Sequence, residues 1–321
     1  MVFAQAADFI RSHSRFLLTS HVNPDGDAIG AVMGLQWALS KLGKEGVIIL
    51  DGKPPEVFNF LEGYSRVRSL ASAGSTELFS TAIFADSPTV ERVGAASGLL
   101  APGAAILNLD HHISNENFGQ VNLTPFEMSS SAEVVYRLIM ELGLAPDRAC
   151  AEYLYTGIII DTGRFRFSNT APETLRVAAD LVAAGARPDK ISEALYERNT
   201  YQTTRALGKF IDSVEMHYNG KVAVGGFDHG FIMSDFYKQV ETEGFVNHAL
   251  AIKGVEVAGF LREVEPGKTR GSLRSRSSFD VNELASAFGG GGHAKAAGCT
   301  IMAPLAQAKE KLLAEIGKRL G

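Results

Sequence analysis

Short apolar runs set among longer stretches of helical periodicity give this chain its plan. Phe16, Leu17 and Leu18 form one run, and residues 47–50, 81–85 and 105–109 form three more. Runs this short, bounded by Gly, Pro or Asp, read as strands buried on both faces. Between them, 4–13 reads as a short helix. Residues 30–42 place Ile29, Val32, Met33, Leu35, Leu39 and Leu42 near the helical period and close on Gly43. Further helices are expected near 56–61, over 132–142 with Ser130 or Ser131 as cap, and over 172–184 before Gly185. The stretch from Ala149 to Ile158, Ile159 and Ile160 reads as a further apolar run ending on an acid, Asp161. Strands alternating with helices predict an α/β fold, with a mostly parallel sheet covered by helices on both faces.

The pattern changes after residue 188. Residues 188–212 are helical, polar and charged, and read as a connection. Beyond them Asn219-Gly220 lies between two alternating runs, a hairpin signal, and a second strand pair flanks Glu265-Pro266-Gly267. A helix over 281–288 then leads into four glycines and His293, and an amphipathic helix over 304–320 follows. The expected domains are 1–188, a helical linker 189–210, and a smaller α/β domain 211–321. Composition adds bounds. At 321 residues, 45% hydrophobic and 21% charged, the chain is long enough for two cores. A net charge of −5 argues against coating nucleic acid, so no stable nucleic-acid complex is expected. The two cysteines, Cys150 and Cys299, match no metal or redox spacing and read as reduced and buried. No run has signal-peptide or membrane-span length, so the expected location is cytoplasmic, without a membrane partner.

Candidate chemistry gathers where the apolar runs end. His21, Asp25 and Asp27 follow the first run on turn residues, Asp86 ends the third, and Asp110, His111 and His112 end the fourth; Asp161 joins them. In a parallel sheet such ends share one edge, where ligands bind. Each Asp alone could be a helix cap or a dipole partner, but capping does not explain the three histidines. Massed carboxylates repel one another unless a divalent cation intervenes. Carboxylates with imidazoles and no Cys suit Mn²⁺, with Mg²⁺ or Fe²⁺ as alternatives, and two such ions point to phosphoester hydrolysis.

These residues resemble the DHH phosphoesterase superfamily: Asp110-His111-His112, with His21-x-x-x-Asp25-x-Asp27 upstream and Asp161-Thr162-Gly163 downstream. The contexts at 108–115 and 157–165 are similar to the branch of nanoRNases (oligoribonucleases) and 3′-phosphoadenosine-5′-phosphate (pAp) phosphatases. Residues 290–298 resemble the DHH-associated C-terminal domain. The resemblance implies that His21 and Asp25 hold one metal, that Asp27, His111 and Asp161 hold the second, and that Asp86 bridges both. It gives His112 the scissile phosphate and Asp110 the orientation of the His pair. Ser131 stands where the family often has Thr, and Pro88 alters the path after Asp86.

The second domain adds an anion site. Successive glycines, Gly291 and Gly292 among them, expose backbone N–H groups, and His293 adds a donor. Strand alternation puts Ser272, Arg274 and Arg276 on one face, with Arg262 on the neighbouring strand. Arg262 and Arg274 are the substrate residues expected; Arg276, Lys295 and Arg92 read equally well as solvated charges. By resemblance the active site lies in the cleft between the domains, and the second domain grips the far end of a short nucleotide. The expected activity is two-metal hydrolysis of short RNA or linear dinucleotides to 5′-mononucleotides, with action on pAp. Alternatives are a cyclic-dinucleotide phosphodiesterase and, in another class, a non-catalytic nucleotide-sensing module, against which the intact ligand set argues. A homodimer is compatible with the sequence.

Overall fold

The computed structural model describes residues 2–74, 78–276 and 278–320, and divides into two units, Met1–Glu197 and Arg198–Gly321. In the first unit α1 (Val2–Ser12) leads into β1 (Arg15–Thr19), α2 (Gly26–Lys41) and β2 (Glu45–Leu50). Next come β3 (Arg68–Ser69), α3 (Leu70–Ala73), β4 (Phe79–Ala85), β5 (Leu100–Leu109) and β6 (Val121–Leu123). Then α4 (Ser131–Glu141), α5 (Arg148–Asp161), α6 (Pro172–Ala183) and α7 (Pro188–Tyr196) complete the unit. The sheet order is β3-β2-β1-β4-β5-β6, and every neighbouring pair is parallel. The chain winds outward from β1 through β2 to β3, then returns to β4 on the other side of β1. The strand order therefore reverses between β1 and β4, the position at which open α/β sheets bind ligands.

Period-2 alternation puts both faces of the sheet in contact with helices. Phe16 and Leu18 point into a large core with α1, α2, α4 and α5; Leu17 points the other way, against Phe84, Val93 and Ala96. Beneath the sheet α2 and α5 approach closely. A Cβ on Gly30 would collide with the Tyr153 carbonyl, and one on Gly157 would lie 2.8 Å from Asp27 Oδ1. This contact draws Asp27, at the start of α2, toward Asp161, at the end of α5.

Asp161 ends a helix, not a strand, which corrects the sequence expectation. α5 is buried on nearly all sides, so its residues lack an amphipathic period, and Ile158 to Ile160 mimic a strand. The helix expected near 56–61 is a single 3-10 turn at Glu56–Phe58. The stretch 189–210 is helical, and each of its two helices packs on a different unit. Its first helix, α7, buries Ile191 in the core of the first unit, and its second, α8 (Tyr201–Asp212), buries Ala206 and Phe210 in the second unit.

After α8 the second unit contains β7 (Glu215–His217), β8 (Val222–Phe227), α9 (His229–Ile232), α10 (Phe245–Leu250), β9 (Val257–Glu265) and β10 (Lys268–Ser275). It ends with α11 (Val281–Ser286), β11 (Gly291–His293), β12 (Ala296–Ile301) and α12 (Leu305–Gly317). The sheet runs β11-β12-β10-β9-β8-β7, antiparallel except for β8 beside β9. Val257, Leu261 and Leu273 face α11 and α12, whereas Ala258 and Phe260 face α8 and α10. No helix among the described residues is long and apolar enough to cross a membrane. Cys150 and Cys299 are buried free thiols.

Candidate active site

The carboxyl ends of β1, β4 and β5 deliver His21, Asp86 and the Asp110-His111-His112 triplet, and the facing ends of α2 and α5 deliver Asp25, Asp27 and Asp161. Asp86 sits at the centre. Its backbone is in the left-handed region, φ 54°, which an L residue occupies at a cost of about 1 kcal/mol. The turn directs its buried carboxylate to three imidazoles: His21 Nε2 lies 3.3 Å from Oδ2, and His111 Nε2 and His112 Nδ1 lie 3.8 and 3.7 Å from Oδ1. His111 Nε2 is also 3.3 Å from Asp161 and 4.0 Å from Asp27.

Asp25 does cap α2, its Oδ1 accepting from the N–H groups of Asp27 and Ala28 at 2.9 and 3.1 Å. Asp27 is held differently. Its two oxygens accept from the N–H groups of Ser131 (2.7 Å) and Ala132 (2.8 Å), so the N-terminus of α4 binds a carboxylate from another helix. Ser130, not Ser131, is the cap of α4; Ser131 instead donates its hydroxyl to Asp86 at 3.1 Å. Asp110 is fully buried and anchors the triplet. Its Oδ1 is 2.8 Å from His112 Nδ1, and its Oδ2 accepts from Asn115 Nδ2 at 2.6 Å. Asn115 and Asn169, which donates to the carbonyls of Ser129 and Asp161, brace the cluster in ways that sequence alone did not assign. Their only cue is proximity to the acidic motifs. Arg92 is exposed, and its carbonyl accepts from Val22.

The electrostatics are those of crowded anions. Burial, then the neighbouring Asp86 charge, raises Asp25 and raises Asp27 well above the ordinary carboxyl value. Burial pushes Asp161 to about 6, with His111 working against it. Burial also opposes ionisation of Asp86, but the His21 hydrogen bond and the charges of His111, His21 and His112 outweigh it and leave its carboxyl lowered. The hydrogen bond to Asp110 holds His112 up at about 9. Among the described residues no Arg or Lys pairs with Asp25, Asp27, Asp86 or Asp161. These side chains form three overlapping groups, His21/Asp25/Asp86, Asp27/His111/Asp161 and Asp86/His111/His112, each with ligand atoms within 4.8 Å of one another. The buried His21 Nδ1 has no hydrogen-bond partner among the described residues. Hard oxygens, imidazoles and an unmet negative charge fit divalent metal.

In the second unit Arg262 and Arg270 are cross-strand partners on β9 and β10, and Arg274 lies on the same face. Arg262 donates to Thr242 at 3.0 Å, and with Arg270 and Ser272 it lines a cavity of about 300 Å³ floored by Gly290 and Gly298. Ala296 pairs with both Arg274 and His293, which puts these two in one cross-strand row. Arg276 lies beyond the end of β10, and Lys295 donates to the Phe279 carbonyl. The glycine run is not an open loop of free N–H groups. Gly291, Gly292 and His293 form the edge strand β11, and the Gly292 N–H already donates to Asn282 at 2.9 Å. Glycine is required for packing, because a Cβ at Gly290 or Gly292 would collide with the carbonyl of Gly298 or Ala296.

A doubly wound parallel sheet with carboxylates and imidazoles massed at its switch point, in a chain with a second mixed-sheet unit, defines a metal-dependent phosphoesterase. The chain belongs to the DHH family: the DHH family N-terminal domain matches residues 15–158 and the DHHA1 domain matches 219–321. It is 34% identical over 307 residues to the bifunctional oligoribonuclease and PAP phosphatase NrnA of Thermus thermophilus, covering 94% of this chain and 89% of that one. Identity to the NrnA of Bacillus subtilis is 28%, with 91% of each covered. The crystal structure of an exopolyphosphatase-related protein from Bacteroides fragilis superposes with a TM-score of 0.83 at 25% identity, over 98% of this chain and 95% of that one.

Proposed function

We propose that this chain hydrolyses short oligoribonucleotides and linear dinucleotides to 5′-mononucleotides, and also dephosphorylates pAp. The observation that carries the reading is the pair of His–Asp groups that converge on the buried Asp86. His21, Asp25 and Asp86 would hold one divalent ion; Asp27, His111 and Asp161 would hold the other, with Asp86 shared. Such a pair, Mn²⁺ first among candidates, supplies an activated water and neutralises charge on a phosphoryl oxygen. His112 is raised to about 9 and so is protonated at neutral pH, as a donor to a phosphate oxygen must be. Asp110, held in turn by Asn115, fixes which His112 nitrogen is engaged and leaves Nε2 for the substrate. In the second unit Arg262, Arg274 and His293, with the glycine strand at Gly291 and Gly292, would bind the rest of the nucleotide. The substrate class is supported by the names of the NrnA relatives.

The test is an assay of pAp, pGpG, pApA, a short RNA and cyclic dinucleotides with Mn²⁺, with and without chelator. The expected result is turnover of pAp and the linear substrates, abolished by chelation and restored by Mn²⁺. Turnover of cyclic dinucleotides alone, or full activity in metal-free protein, would overturn the proposal.

A further inference from the structure

Beside Asp161 the first unit contains a cavity of about 340 Å³ that phosphate chemistry does not require. Its lining is mostly apolar, with Phe58, Ile160, Phe167 and Tyr196, and carries two cations, Arg164 and Arg166. Ile160 and Gly163 bracket Asp161, so the cavity adjoins the His–Asp cluster through the chain itself. Its size is at the lower end of the range for small-molecule pockets, about 300–1,000 Å³.

The wall is built in a particular way. Gly163, Arg164 and Phe165 follow one another in the left-handed region, with φ of 55°, 64° and 60°, although only the first is glycine. Backbone outliers of this kind persist where surrounding contacts hold them, and they concentrate at ligand sites. The contacts here are visible. Phe165 packs edge-on against Tyr155 with ring centroids 6.1 Å apart, and Arg164 lies 3.6 Å over the Tyr196 ring. A Cβ at 163 would collide with the Phe167 ring, and Arg166 Nε donates to the Gly163 carbonyl at 2.9 Å. The result is a phenyl ring left 55% exposed next to two arginines. An exposed aromatic face with guanidinium groups beside it is the chemistry that stacks a planar heteroaromatic ring.

We infer that this cavity takes the nucleobase of the nucleotide whose phosphate lies on the His–Asp cluster. The inference rests on the phosphoesterase reading above and adds a base-binding function to the first unit, separate from the arginine face of the second. Phe167 provides the stacking surface, and Arg164, restrained by Tyr196, flanks it.

Two measurements on the full-length, Mn²⁺-loaded protein test it. In direct binding, AMP should bind more tightly than ribose 5-phosphate, and Phe167→Ala should abolish that preference while Phe167→Tyr retains it. In turnover of pApA, Phe167→Ala should raise KM about 5- to 150-fold with kcat within about twofold, the range expected for one lost base–aromatic stack. The rise should vanish for a dinucleotide lacking the base at one of its two positions. Equal affinity of the unmodified protein for AMP and ribose 5-phosphate would overturn the pocket. So would a Phe167→Ala effect of the same size on pApA and on both base-lacking substrates. An AMP preference that depends on Phe167 in a protein that cleaves no dinucleotide would uphold the pocket and overturn the phosphodiesterase reading.

Discussion

Two residues concentrate the chemistry, and each predicts a separate outcome. Asp86 belongs to two of the three His–Asp groups, is in reach of three histidines, and in the proposed site is shared by both ions. Asp86→Ala should therefore lower kcat by at least about 10³ while the circular dichroism spectrum stays native, because both ions lose an anchor. Near-native kcat would place the centre elsewhere. Asp110 acts through His112. The ordinary histidine value is 6.5, and the Asp110 hydrogen bond lifts His112 to about 9, so in metal-free protein the ring stays charged well above neutral pH. The sign for stability follows: this contribution is complete below 6.5 and is lost as pH rises through about 9. Asp110→Asn keeps the shape but removes the charge. His112 should then titrate near its ordinary value, which NMR of the ring protons would read directly. An unchanged titration would mean that Asp86 and Asp161, rather than Asp110, hold the proton.

At the level of elements, the close contact between α2 and α5 sets the spacing of the second group. Gly157 lies where a Cβ would press on Ala132 and stand 2.8 Å from Asp27 Oδ1. Gly157→Ala should cost about 1–3 kcal/mol by overpacking and also weaken Mn²⁺ binding. Denaturant unfolding and metal titration check the two effects separately; loss of stability with unchanged metal affinity would uncouple the helix contact from the site. The same elements show what sequence can reveal. β1, β2, β4 and β5 are legible because strands buried on both faces leave unbroken apolar runs, and their acids follow from where the runs stop. α5 is misleading for a related reason, since a helix buried all around also loses its period. β3 and β6 are two and three residues long, too short for any pattern, and β11 hides in a glycine run that reads as a loop. Ser131 is invisible as a partner of Asp86 because the two lie 45 positions apart and meet only on folding.

For the molecule as a whole, the cluster makes metal binding and stability one problem. Burial raises Asp25, Asp27 and Asp161, so ionising them in the folded, metal-free protein is unfavourable. A carboxyl raised on folding contributes stability that is complete below its unfolded value and lost as pH rises through its folded value. For Asp161 that window runs from 3.8 to about 6 and is worth on the order of 2–3 kcal/mol. Asp86 opposes the trend, because its carboxyl is lowered and favours the folded state as pH rises. Within the cluster three raised groups oppose one lowered group, so the cluster's own contribution to the stability of the metal-free protein should fall between about pH 4 and 6. Divalent ions should reverse the loss, because they bind the ionised cluster and the unfolded chain does not assemble it. At a hundredfold excess over Kd each site adds about 2.7 kcal/mol. Thermal unfolding followed across this pH range, with chelator and with Mn²⁺, should give two curves that converge at acid pH and separate above about 6. Parallel curves with no pH-dependent separation would mean that the acids carry no uncompensated charge, and the argument for a metal centre from crowded carboxylates would fail.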